Sequence, residues 1–110
     1  MAIQSVNEKD WKLFRKKLPG WQEDYMENLC KEYAGILSSS KNASEKFWEL
    51  EKRIKEDKKD VGVSAQMSRS MMLENITALL LEGAITIEDL DGFSEETVET
   101  VKRWARIGEK

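Results

Sequence analysis

Histidine is absent from this chain of 110 residues, cysteine and proline occur once each, and glycine only six times. Each scarcity excludes something. Without histidine there is no Ser-His-Asp or Cys-His catalysis, no imidazole to move protons near neutral pH, and no Glu-x-x-His iron site of the kind built in helical bundles. Cys30 alone cannot close an intramolecular disulfide, which fits a reducing compartment, and one cysteine without histidine cannot form a structural zinc site. Neither G-x-G-x-x-G nor G-x-x-x-x-G-K-[ST] occurs, so no glycine loop is present to cradle a phosphate. The longest unbroken apolar run is Ala78 to Leu81, against the roughly 20 residues a membrane span requires. The opening residues MAIQSVNEKD lack the apolar stretch of a secretory signal. These absences predict a cytoplasmic chain with no membrane segment, no catalytic residues, no cofactor and no bound metal.

What remains is 40% hydrophobic and 35% charged, with few residues that break helices. The expectation is all-α: a compact helical bundle of five to six helices forming a single domain over residues 1–110, with 1–6 as a flexible lead-in. Asn7 is placed to cap a first helix, Glu8 to Lys17, burying Trp11, Phe14 and Leu18, with Asp10 in its first turn and Val6 stapled to Trp11. Pro19-Gly20 is expected to break or bend that helix, because proline disfavours helical geometry in the residue before it. A second helix, Pro19 to Leu37, carries Trp21, Tyr25, Leu29, Tyr33 and Leu37 at steps of four, with Cys30 as a small buried hydrophobe beside them.

Asn42 with Glu45 forms a capping box for a third helix, whose stripe is Phe47, Leu50 and Ile54 and whose highly charged end projects into solvent until Gly62. A fourth helix, from Ala65 or Arg69 to Leu81, buries Met72, Leu73, Ile76, Leu79 and Leu80, and Gly83 stops it. Thr86 caps a short helix in the C-terminal third, Ile87 to Leu90. Ser94 caps the last, Glu95 to Ile107, whose acids precede its bases as the helix dipole favours.

Charge is balanced overall at −3 but unevenly distributed. Lys12, Arg15, Lys16 and Lys17 cluster early, and every charged residue from Glu82 to Glu99 is acidic. The nearest approach to a metal loop is Asp89-Leu90-Asp91-Gly92. Aligned on Gly92 as a calcium loop, it has Ile87 in the first ligand position and Val98 where a bidentate glutamate is required, so it reads as a turn with capping acids.

Recognition residues are more plentiful than chemical ones. Four tryptophans are many for this length, and tryptophan dominates binding hot spots. Trp48 and Trp104 flank their helical stripes, and Met67 and Met71 cluster at the start of the fourth helix. These four are the candidate contacts for a protein partner, whether another protein or a second copy of the chain. Lys12, Arg15, Lys16 and Lys17 are the candidate phosphate contacts should the partner be nucleic acid. The stretch Ile85 to Trp104 has the short-helix, turn, longer-helix rhythm of helix-hairpin-helix domains, without their paired glycines.

Three segments, NEKDWKLFRKKLPGWQEDYM, KFWELEKRIKEDKK and LLLEGAITIEDLDGFSEETVETVKRW, resemble small helical proteins of unknown function from Gram-positive gut bacteria and their mobile elements. The resemblance covers about half of the chain and implies an accessory role without catalysis. The sequence thus predicts a non-catalytic protein–protein interaction module, a small helical adaptor or inhibitor, with a nucleic-acid accessory protein as the alternative.

Overall fold

The computed structural model describes residues 7–106. Five α-helices run in the order α1 (Glu8–Leu37), α2 (Ala43–Asp57), α3 (Val61–Ser64), α4 (Met72–Leu81) and α5 (Glu95–Ala105), with a 3-10 turn at Ile87–Leu90 before α5. No strand occurs among the described residues, so the fold is all-α. It is not compact. The Cα radius of gyration is 16.8 Å and the molecule extends 54 × 32 × 27 Å, whereas a globule of about 100 residues has a radius near 13 Å.

The extension originates in α1. Of the break or bend expected at Pro19, the break does not occur: one helix of 30 residues runs through it. Proline inside a helix loses one backbone hydrogen bond and crowds the preceding turn, at a cost of about 3 kcal/mol. Leu18 and Trp21, on either side of it, are both buried in one apolar cluster with Trp11 and Phe14. Burying a large apolar side chain contributes about 1.5–3 kcal/mol, so the two together outweigh the proline. Pro19 and Gly20 lie on the exposed face, where water reaches the carbonyl that proline leaves unbonded.

The cluster forms the body of the molecule. Trp11, Phe14, Leu18 and Trp21 of α1 pack with Met72, Leu73, Ile76 and Leu79 of α4, Ile85, Leu90 and Phe93 of the connection, and Val101 of α5. The aromatic rings form a chain: Trp11 to Phe14 at 5.9 Å, Phe14 to Trp21 at 6.3 Å, and Trp21 to Phe93 at 6.3 Å between centroids.

Helix starts follow the capping residues. Asn7 Oδ1 accepts from the Lys9 and Asp10 N–H groups, Asn42 and Glu45 exchange the bonds of a capping box, and Ser94 Oγ accepts from the Thr97 N–H. Asp89 accepts from the Thr86 N–H at 2.8 Å, opening the 3-10 turn. Gly83 adopts φ 79° after α4. Two boundaries differ from expectation. Residues 65–71 are not helical, so α4 starts at Met72, and Gly62 lies inside the one-turn helix α3 instead of ending α2. Val6, its staple to Trp11, the lead-in 1–6 and Ile107 lie outside the described residues.

One acidic side chain is buried in the body among the described residues, Asp10. The Asp10 carboxylate accepts from the Ser94 N–H at 2.9 Å, the Ser94 hydroxyl at 2.6 Å and the Thr97 hydroxyl at 2.5 Å, joining the first turn of α1 to the first turn of α5. A hydrogen bond to a charged group is worth about 1.5–3 kcal/mol, and orphaning its buried partners costs more. Asp10→Ala is therefore expected to lower stability by about 3 kcal/mol, a fall in Tm on the order of 10–20 °C for a domain of this size. Thermal unfolding followed by circular dichroism checks this, and an unchanged Tm would refute the role given to Asp10.

Candidate functional site

Past Trp21, α1 leaves the body and runs beside α2 as a helical hairpin, the arm. Leu29 is the one buried side chain of this half of α1, and α2 has none. The expected burial of the α2 stripe is overturned: Phe47 is 62% exposed, Ile54 is 39% exposed and Leu50 is half-buried. Cys30, expected inside, is exposed as well. The reason is common to all of them. Among the described residues no third long helix lies over this face, because the apolar residues of α4 and α5 are already committed to the body.

The root of the arm is held by polar ties. Gln22 donates to the Val63 and Ala65 carbonyls at 3.3 and 3.0 Å, and the Tyr25 hydroxyl donates to Asp60 at 2.5 Å. Glu82, at the end of α4, accepts from the Val61 and Gly62 N–H groups at 2.8 and 3.0 Å, closing the first turn of α3. Gly62 is required here for close approach, since a Cβ at this position would lie 2.4 Å from the Tyr25 ring. Farther out, Tyr33 donates to Asp57 at 2.7 Å, and Arg53 bridges Glu32 at 2.5 Å and Asp57 at 3.3 Å. The charged end of α2, expected to project freely, is in this part pinned to α1.

Three hollows mark the surface. The first, of about 210 Å³, lies at the root of the arm between Met26, Leu29, Cys30, Tyr33, Ile54 and Val63, with Asp57 and Lys58 at its rim. The second, of about 340 Å³, is lined by Lys9, Lys12, Leu13, Lys16 and Gly92. The third, wide open and about 520 Å³, lies across the Gly92 turn from the lysines, with Glu88 and Asp91 among its residues. The two patches of opposite charge thus meet at Gly92, whose φ of 96° makes the turn.

The candidate contacts separate. Trp48, 63% exposed, stands edge-to-face with Phe47 at 4.9 Å on α2. Trp104 is exposed on α5, and Met67 and Met71 are exposed in the connection between α3 and α4. None of these four lines any of the three hollows. Of the candidate phosphate contacts, Lys12 and Lys16 line the second hollow. Arg15 turns instead to Trp11, 6.0 Å from its ring, and Lys17 is half-buried away from the hollow. Lys9 completes the set and was overlooked, although its spacing of three and seven from Lys12 and Lys16 places it on their face. Phe47 and Ile54 were also missed as surface residues. Among the described residues no group of three or more Cys, Asp or Glu is arranged to hold a metal ion, and no helix is long and apolar enough to cross a membrane.

Compared with protein-family models, curated proteins and solved structures, the chain matches none.

The two tyrosines of the chain both sit in the arm. Burial, followed by the hydrogen bond to Asp57, pushes the Tyr33 hydroxyl up to about 12, and burial with the Asp60 bond raises Tyr25 as well. The neutral phenol is the form the fold favours. This stabilisation is complete below the ordinary tyrosine value near 10 and is lost as pH rises through the folded values. Phenolate absorbance should therefore titrate above pH 11 in the folded chain, with helicity declining once pH exceeds about 10. Titration of both tyrosines near 10 in a still-helical protein would contradict the ties at the arm.

Proposed function

We propose that this chain is a non-catalytic protein-recognition module whose arm carries the contact surface. The observation that supports it is the Phe47–Trp48 pair, two large aromatic side chains each more than 60% exposed on a helix that buries none of its residues. Aromatic side chains bring large area at small entropic cost, and scattered surface apolars do not form such a pair. Leu37, half exposed at the end of α1, adds to the apolar area of the same arm. The buried cluster of the body takes no side chain from α2 or from α1 beyond Trp21, which leaves the arm available for contact.

Because both rings are outside the core, Phe47→Ser with Trp48→Ser should change stability by no more than about 0.5 kcal/mol. The same double substitution should reduce retention of a protein partner, captured by the immobilised chain from a lysate of the source organism, by at least tenfold, as loss of a hot spot does. Equal retention by the parent and the variant would refute the reading.

A second reading, an accessory protein on nucleic acid, is favoured by Lys9, Lys12 and Lys16 around one hollow. Glu88 and Asp91 across the turn oppose it by weakening the positive field. It requires DNA or RNA binding whose log K falls with log salt at a slope of about −3 for three phosphate contacts. Lys12→Glu with Lys16→Glu should abolish that binding, and absence of retention at low salt would dismiss this reading.

A further inference from the structure

The arm places its polar residues between its helices and its apolar residues on one side. Half-buried positions of α2 are Lys46, Glu49, Leu50, Arg53 and Asp57, and the bonds that cross to α1 are those of Arg53 and Asp57. Met26, Cys30, Tyr33 and Leu37 recur along α1 at steps of four, three and four, which keeps them on one face. Phe47, Leu50 and Ile54 do the same on α2 at steps of three and four. Ile54 lines the hollow that Met26, Cys30 and Tyr33 line, so the two stripes lie side by side. By helical position no charged residue interrupts the α1 stripe between Met26 and Leu37, and on α2 Glu51, four residues after Phe47 and three before Ile54, borders the stripe.

We infer that a second copy of this chain covers this face, two arms closing face to face as an antiparallel four-helix bundle. The inference deepens the recognition reading and rests on it. Three features select a second copy over an unrelated partner. A layer of two helices that is apolar on one side lacks a second layer of the same kind, which is what four-helix bundles supply.

The face is also self-complementary. Phe47 protrudes toward the tip, the 210 Å³ hollow lies at the root beside Ile54, and a twofold axis across the arm sets the ring of each copy over the hollow of the other. Isologous contacts require such a patch, in which one residue meets a second and the second meets the first. The charges at the rim of the hollow, Asp57 and Lys58, are of opposite sign, so the rim sets no single-sign field against itself when the face meets a second copy.

Area is adequate as well. At 1.5 Å per residue α2 is about 22 Å long, and two helices each about 10 Å wide present roughly 440 Å² in projection per copy. Counting both copies and the relief of the side chains, the buried area reaches the region of 1,200 Å² where specific interfaces begin.

Sedimentation and light scattering up to about 100 µM, well above a micromolar Kd, test this on the full chain. The expected result is a dimer of the 12.7 kDa chain, converted to a helical monomer by Phe47→Glu with Ile54→Glu and unaffected by Trp104→Ala. Cys30 lies in the face, so its alkylation should slow at least tenfold as the dimer forms, and not slow in the double variant. A monomer at every concentration overturns the inference. So does a dimer in which Cys30 alkylates as fast as in the double variant, since that dimer uses another face. A monomer that still retains a foreign protein through Phe47 and Trp48 overturns self-association and leaves the recognition arm intact, whereas a monomer that retains nothing removes both.

Discussion

Leu18 and Trp21 are buried on either side of Pro19 in one apolar cluster, and their shared burial carries α1 through a residue that would otherwise end it. Everything else in the molecule follows from that continuity. The first half of α1 supplies Trp11, Phe14, Leu18 and Trp21 to the body. The second half, unable to turn back, is carried away from the body and offers α2 a surface to lie beside. Had the chain broken at Pro19, the two halves could have packed on each other and the face between Met26 and Ile54 would have had a natural cover.

The polar architecture repeats one device. Asp10 is buried at the first turns of α1 and α5 and satisfies a backbone N–H and two hydroxyls there; Glu82 satisfies two backbone N–H groups at the first turn of α3. In both cases a carboxylate meets the unsatisfied donors and positive dipole end of a helix. The first tie closes the body, and the second, with Tyr25 against Gly62, holds the root of the arm to it. No buried side-chain polar atom lacks a partner among the described residues.

Much of this was legible residue by residue. Asn7, Asn42, Thr86 and Ser94 marked helix starts because capping is a local exchange of hydrogen bonds between neighbours in sequence. The periodicity of Met72, Leu73, Ile76 and Leu79 gave a buried face for the same reason. Trp48 was legible as a residue at the edge of its helix's apolar stripe, and it is exposed. The exposure of Phe47 was not legible, since an apolar residue at core spacing looks the same whether or not anything lies over it. The one available signal was the composition of α2, where three stripe positions stand among a run of charges too polar to enter a core. Asp10 was legible as a favoured first-turn acid, but not as the ligand of Ser94 and Thr97, more than 80 residues away.

Sequence alone determined that the chain is helical and where its capped helices start, because those depend on residue type and spacing within a few turns. Tertiary structure decided whether α1 would yield at Pro19, which apolar stripes would be covered, and which lysines would share a hollow. Each of these is settled by competition among distant groups for one limited interior. Once α4 and α5 fill the space over the first half of α1, no other long helix among the described residues is left to cover the second.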